Sequence, residues 1–158
     1  MSSTNIIFAK RIQEVFGFLV DGYGYRLTEQ QVHQSIFYGG HFTYESSHLR
    51  IWMSWERYES LIISFARPTK KTWYFFCYVH LYLDADESGK TEPVDFPGQP
   101  EALAELLERF LPRIEEIFSD SVFPTKRRDL EDLIVRSESR RYGFGRDDSL
   151  AKYFASDE

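Results

Sequence analysis

The acidic segment 84–95 carries the densest set of possible oxygen ligands in the chain. As a twelve-residue calcium loop, it would place oxygen-bearing side chains at positions 1, 3, 5, 9 and 12 and a glycine at position 6. The five side chains belong to Asp84, Asp86, Ser88, Glu92 and Asp95. Calcium takes about six to eight hard oxygens, and the glycine allows a sharp turn around the ion. The spacing therefore predicts a candidate calcium site.

The same segment also departs from a calcium loop. Asp95 stands where a longer bidentate glutamate is usual, Thr91 stands where an apolar residue is usual, and Pro93 interrupts the exit. The alternative is an acidic surface loop in which Asp, Ser and Gly are turn formers. Its acidic residues are then candidate contacts for a basic partner: Asp84, Asp86, Glu87 and Glu92.

The remaining reactive residue types show no spacing that indicates catalysis. The four histidines, His33, His41, His48 and His80, are not placed for a helical metal site. The single cysteine, Cys77, excludes an internal disulfide and a four-thiolate zinc site. We therefore expect no catalytic residues and no cofactor, and we do not expect an enzyme.

The charge balance argues against a nucleic-acid partner. The 158 residues include 19 Lys and Arg against 25 Asp and Glu, a formal net charge of −6, whereas duplex binding requires an excess of basic residues. Segment 84–120 holds eleven acidic and three basic residues, and segment 124–146 holds seven basic and four acidic ones. Either these two surfaces attract each other within the fold, or the acidic one contacts a basic protein partner.

Length and composition predict a single soluble, cytoplasmic domain over residues 1–158. Hydrophobic residues make up 42% and charged residues 28%, which is typical of globular proteins. No apolar run is long enough to cross a membrane, and no secretion signal is visible at the start of the sequence. We expect the Gly- and charge-rich residues 142–158 to form a flexible tail.

Hydrophobic periodicity predicts three helices around a set of strands. Apolar stripes indicate helices over about 5–19, 100–118 and 129–140. Pro112 lies inside the second helix and should kink it. The intervening segments then predict an α+β fold in which these helices pack against one sheet.

The middle of the chain predicts an antiparallel β-meander of about four strands. Residues 49–56 alternate in hydrophobicity, and short turns separate them from the strands at 41–45 and 60–66. A short first strand is expected from Tyr25 toward Val32. The run 73–83, dense in Tyr, Phe and Val, is predicted as a further strand, with a buried helix as the alternative. Residues 84–100 are expected to form a loop.

Roughly the first 65 residues follow a recognisable order of motifs. A helix ends in the turn Phe16-Gly-Phe-Leu-Val-Asp-Gly-Tyr-Gly-Tyr25, a strand carries Thr43-Tyr44-Glu45-Ser46, and two further strands cover 49–56 and 61–65. In this order the chain resembles small uncharacterised bacterial α+β proteins, some of them grouped with immunity proteins of polymorphic toxin systems. It departs from them at Tyr25, where the turn more often has Phe. The resemblance implies a cytoplasmic protein that neutralises a partner by covering it.

Three functions are consistent with these features, and the third is a homo-oligomer with a structural role. The first is a protein-binding module, including an immunity-type inhibitor of a basic partner such as a toxin. The alternative is a small-ligand-binding protein or enzyme with an aromatic-lined pocket between sheet and helices, to which Tyr78, His80 and Tyr82 would lend polar groups. Tyr74, Phe76, Tyr78 and Tyr82 would form a contact patch, unless they lie beneath a helix.

Overall fold

The fold is taken from a computed structural model, which describes residues 3–33, 39–56, 60–88, 96–142 and 153–154. The helices and strands are α1 (Ser3–Val15), α2 (Gly17–Gly22), β1 (Arg26–Val32), β2 (Gly39–Glu45), β3 (Arg50–Glu56), β4 (Ser60–Ala66), β5 (Tyr74–Phe75), α3 (Phe76–Ser88), α4 (Pro100–Ile117) and α5 (Phe123–Tyr142). The α+β class predicted from the sequence is confirmed.

The strands form one antiparallel sheet in the order β1-β2-β3-β4-β5. Each strand pairs with the next along the chain, which is the predicted meander extended by the two-residue strand β5. Strands β2, β3 and β4 pair without a register shift, so that Tyr44, Ile51 and Phe65 lie side by side across the sheet. A β-bulge interrupts the pairing of β1 with β2 between Leu27 and Glu29.

One face of the sheet is buried beneath the helices, and we call it the inner face. Because successive side chains of a strand point to opposite faces, Ile51 and Met53 of β3 are buried while Trp52 between them is partly exposed. The inner-face residues are Phe42, Tyr44, Ile51, Met53, Trp55, Leu61, Ile63, Phe65 and Tyr74. They share one hydrophobic core with apolar side chains from all five helices.

The aromatic run 73–83 is mostly helical, so its prediction as a strand is wrong beyond β5. Helix α3 begins at Phe76 and continues to Ser88, so the loop predicted from residue 84 is also wrong for 84–88. Phe76, Val79 and Leu81 are all buried. A segment this uniformly apolar carries little periodicity, and packing against α4, α5 and the sheet overrides the strand preference of Tyr, Phe and Val.

The other helices differ from the sequence prediction mainly at their ends. The predicted first helix divides at the fully buried Phe16 into α1 and α2. Helix α4 runs through Pro112, which is exposed. Helix α5 begins at Phe123, earlier than predicted, because Phe123 itself is buried in the core.

Asn5 fastens the start of α1 to the sheet through a buried hydrogen-bond network. Its Nδ2 donates to the carbonyl oxygens of His33 at 2.7 Å and Gly39 at 3.1 Å. Its Oδ1 accepts the indole N–H of Trp55 at 2.9 Å. Buried polar groups are costly unless they are hydrogen-bonded. This single side chain therefore joins the end of β1, the start of β2 and the end of β3, and it is the acceptor for the indole N–H of Trp55.

Two buried tyrosines make the stability of the fold sensitive to alkaline pH. Burial raises the pKa of Tyr44 to about 12. Burial and a 2.6 Å hydrogen bond that it donates to Glu115 raise the pKa of Tyr25 as well. Both phenols are stabilised in their protonated form by folding. The associated stability is fully present below the unfolded-state value of about 10 and is lost as the pH rises through the folded-state values.

We therefore expect the free energy of unfolding to fall as the pH is raised from about 10 to about 12. Denaturant titrations at a series of pH values would measure it, and Tyr44→Phe should lessen the fall because the variant lacks one of the two groups. A free energy of unfolding that stays constant over this interval would contradict the expectation.

Candidate functional site

The structure places only part of the predicted acidic site. Asp84 is half-buried on α3, and Asp86, Glu87 and Ser88 belong to the last turn of that helix. The helical conformation of residues 84–88 differs from the loop that the calcium prediction assumed. Glu92 and Asp95 lie outside the described residues. Within the described part of the chain, no group of three or more His, Cys, Asp or Glu side chains could hold a metal ion.

Several acidic residues of segment 84–120 contact other parts of the same chain, although Glu101 and Asp120 stay exposed. Glu101 forms an ion pair with Arg11 of α1, and this contact lowers the pKa of the Glu101 carboxyl. Glu115 accepts the hydroxyl of Tyr25, and Asp120 lies 2.6 Å from the guanidinium of Arg67. Among the described residues no ion pair joins α4 to α5. The exposed carboxylates of α4 are Glu101, Glu105, Glu108 and Glu116.

The most prominent surface feature lies on the outer face of the sheet, opposite the helices. Ile62 of β4 and Phe75 of β5 are 49% and 50% exposed there. Trp52 of β3 and Trp73, immediately before β5, are partly exposed beside them. We call these four residues the aromatic face. Contiguous apolar surface of this kind on a folded domain commonly marks an interaction site.

The rings on this surface are held in fixed positions by their neighbours. The ring centroids of Trp52 and Trp73 are 5.9 Å apart with an interplanar angle of 51°, and His41 lies edge-on to Trp52 at 6.2 Å. The guanidinium of Arg50 stacks over Trp73 at 4.7 Å and also donates to the carbonyl oxygens of Arg67 and Lys70. Arg50 thus ties the loop before β5 to the centre of the sheet, and a surface ordered in this way loses less entropy on binding.

Three carboxylates border the aromatic face on its β1–β3 side. Glu29 contacts the imidazole of His41 at 2.6 Å with a largely exposed side chain. Glu45 lies 3.9 Å from Arg50, and Glu56 at the end of β3 is exposed. Arg26 and Arg50 lie on the same part of the outer face, so the border holds three carboxylates against two cations.

The C-terminal segment returns to the sheet beside Trp73. The backbone N–H of Trp73 donates to the hydroxyl of Tyr153 at 2.8 Å. Phe154 is buried, and its ring stacks on Tyr74 at 5.6 Å while Arg127 donates to its carbonyl oxygen. Tyr153 and Phe154 belong to the segment predicted to form a flexible tail, and residues 143–152 and 155–158 of that segment lie outside the described residues. The exposed part of Tyr153 adds a further aromatic ring next to the aromatic face.

A cleft of about 550 Å³ lies between helices α3, α4 and α5. Its lining includes the apolar residues Leu83, Ile117 and Val122. Its walls carry both signs of charge, from Arg113, Glu116, Lys126, Asp129, Asp132 and Arg136. The cleft lies among helices, whereas the sequence predicted a pocket between the sheet and the helices, which stays a prediction.

The four aromatic residues considered as a contact patch are mostly covered, as the alternative predicted. Tyr74, Phe76 and Tyr78 are buried, and Tyr82 is partly buried. The aromatic face lies instead on the sheet. Two residues in the sequence could have indicated this surface. Trp52 falls on the polar side of an alternating strand, and Ile62 lies on the next strand. A single large apolar residue at a solvent-facing strand position is ordinary, and only the register brings these two together.

Comparison with protein-family models, curated proteins and solved structures found no match to this chain. In the described ranges, no helix is long and apolar enough to span a membrane.

Proposed function

We propose that this chain is a cytoplasmic protein-binding module and that the aromatic face is its contact surface. The observation that carries the proposal is the exposure of Ile62 and Phe75 beside two partly exposed tryptophans on a sheet face that the described helices leave open. Interface hot spots are enriched in Trp, Tyr and Arg. Trp52, Trp73 and Arg50 supply this composition on a rigid support.

The size of the sheet supports a partner that reaches beyond the apolar centre. With strands about 4.8 Å apart and a rise of about 3.3 Å per residue, five strands of up to seven residues present a face of about 400 Å². A standard protein interface buries about 800 Å² on each side. A partner seated on the aromatic face would therefore also cover the border that contains Glu29, Glu45 and Glu56.

The charge of this border favours a basic partner. The three carboxylates lie on the outer face, and the whole chain carries a formal charge of −6. Complementary charge accelerates association and selects among partners more than it adds affinity. The resemblance to immunity proteins makes a basic toxin one such partner, which this chain would neutralise by covering it.

Affinity capture tests the proposal with three tagged baits in the native cell lysate. The baits are the wild-type chain, the double variant Ile62→Ser/Phe75→Ser, and Ile7→Ser as the matched control. Ile7 is 63% exposed but lies on α1 rather than on the outer face. We expect a basic protein that wild type and Ile7→Ser retain near stoichiometrically, that the double variant loses, and that high salt weakens. Equal retention by all three baits, or none by wild type, would contradict the proposal.

The cleft between α3, α4 and α5 favours a second candidate function, the binding of a small ligand. Its volume of about 550 Å³ lies within the range of about 300–1,000 Å³ that is usual for ligand sites. Because both signs of charge line the walls, a ligand with anionic and cationic groups would fit best. A wild-type bait that retains no protein would favour this alternative over the protein-binding module.

A further inference from the structure

The two edges of the sheet differ in how much backbone they leave open. On the β5 side, the edge strand has only two residues, and the N–H of Leu61 in β4 donates to the carbonyl oxygen of Gly98 at 2.9 Å. On the opposite side, β1 has seven residues, and six of them are exposed. In the ranges that the structure describes, no strand pairs with the outward edge of β1.

The direction of the β1 backbone groups follows from its last hydrogen bond. The N–H of His33 donates to the carbonyl oxygen of Gly39 at 2.8 Å, toward β2. Backbone groups alternate in direction along an antiparallel strand. The N–H and C=O groups of Gln30 and Val32 therefore point away from β2, and they are available to a further strand.

The side chains of β1 are compatible with pairing to an identical strand. With Gln30 of one copy opposite Gln30 of the other in an antiparallel pair, Glu29 lies opposite Gln31 and Thr28 opposite Val32 of the second copy. No like charges face each other in this register. If the pair were instead centred on Glu29, two carboxylates would lie directly opposite, which is destabilising. The bulge leaves Thr28 without a register partner in β2, so residues 29–32 form the regular part of the strand, with Thr28 at its end.

We propose that β1 is a dimerisation edge, which pairs antiparallel with β1 of a second copy of this chain about a two-fold axis at Gln30. Exposed edges are usually blunted by short strands, charged side chains, Pro, a covering segment or β-bulges, and β1 carries one bulge, before Glu29. The sheet uses a short strand and a covering segment on the β5 side, whereas the 28–32 stretch has neither Lys nor Pro. The dimer joins two sheets of five strands into one and leaves the aromatic face of each copy open.

Sedimentation equilibrium over a wide concentration range tests this inference. We expect the mean mass to rise from 18.7 kDa toward twice that value. Gln31→Glu places two carboxylates opposite each other, at residues 29 and 31, twice in the dimer, and it should raise the dissociation constant about tenfold. Gln31→Lys places opposite charges at the same positions and should lower the dissociation constant by a similar factor. Gln31 is exposed, so neither substitution should disturb the fold.

A third variant tests the role of the backbone. Gln30→Pro removes an N–H that points away from β2, and proline is tolerated on edge strands, so the monomer should fold and the dimer should be lost. Ile62→Ser/Phe75→Ser should leave the dimer unchanged, which separates this inference from the proposed function. A mass of 18.7 kDa at every concentration would overturn the inference. So would a dimer whose strength is the same in wild type and both Gln31 variants.

Discussion

Asn5→Ala should lower the free energy of unfolding by about 3 kcal/mol, because it leaves buried polar groups without their partner. The indole N–H of Trp55 would lose its acceptor, and the carbonyl oxygens of His33 and Gly39 would lose a donor. For a domain of this size, the loss corresponds to a thermal midpoint roughly 6–12 °C lower. Thermal unfolding followed by circular dichroism would measure it.

Two further variants show whether the loss arises from this network. Gln13→Ala removes an exposed hydrogen bond from α1 to Gln30 of β1 and should change the free energy of unfolding by less than about 0.5 kcal/mol. Trp55→Phe removes the indole N–H, so its effect should be less than additive with Asn5→Ala. Full additivity, or an Asn5→Ala variant as stable as wild type, would show that the network does not fasten α1 to the sheet.

Gly40→Ala should destabilise the fold by a similar amount, about 3 kcal/mol, through overpacking. A Cβ at this position would lie 2.3 Å from the backbone carbonyl oxygen of Gln31 and 2.7 Å from the indole ring of Trp55. Because the first of these atoms belongs to the neighbouring strand, relief requires β1 to move relative to β2. Denaturant unfolding would measure the loss.

Gly22→Ala is the matched control for this substitution. Gly22 is the last residue of α2, and nothing lies within 4 Å of a Cβ placed there. Its replacement should be neutral or stabilising by up to about 1 kcal/mol, because alanine restricts the unfolded chain more than glycine does. If Gly40→Ala were as stable as Gly22→Ala, the close packing of β1, β2 and Trp55 would be wrong.

The fold could be predicted where the sequence carries clear periodicity. Alternation over 49–56 indicated β3 and its buried side, and the apolar stripe over 100–118 indicated α4. The run 73–83 gave no such period, so its helix depended on burial from several directions that the sequence does not display. The break at Phe16 falls beside Gly17, a residue of low helix propensity, within an apolar stripe that continues to Leu19.

The candidate site was harder to predict because it depends on register. Trp52 and Ile62 each stand alone in the sequence as an apolar residue at a solvent-facing position, and Trp73 belongs to no regular strand. They meet only because β3, β4 and the loop before β5 are adjacent in the sheet. The charge counts over 84–120 indicated an acidic contact surface on that segment instead. They could not show that Glu101, Glu115 and Asp120 contact other residues of the same chain.

We propose that the aromatic face binds a protein partner without being required for the fold. The most direct test is to measure the dissociation constant of the captured partner for wild type, Ile62→Ser/Phe75→Ser and Ile7→Ser, together with the thermal midpoint of each. We expect the double variant to bind about 100-fold more weakly, as for the loss of two hot-spot contacts, with its thermal midpoint close to that of Ile7→Ser. Equal dissociation constants for the double variant and wild type would contradict the claim.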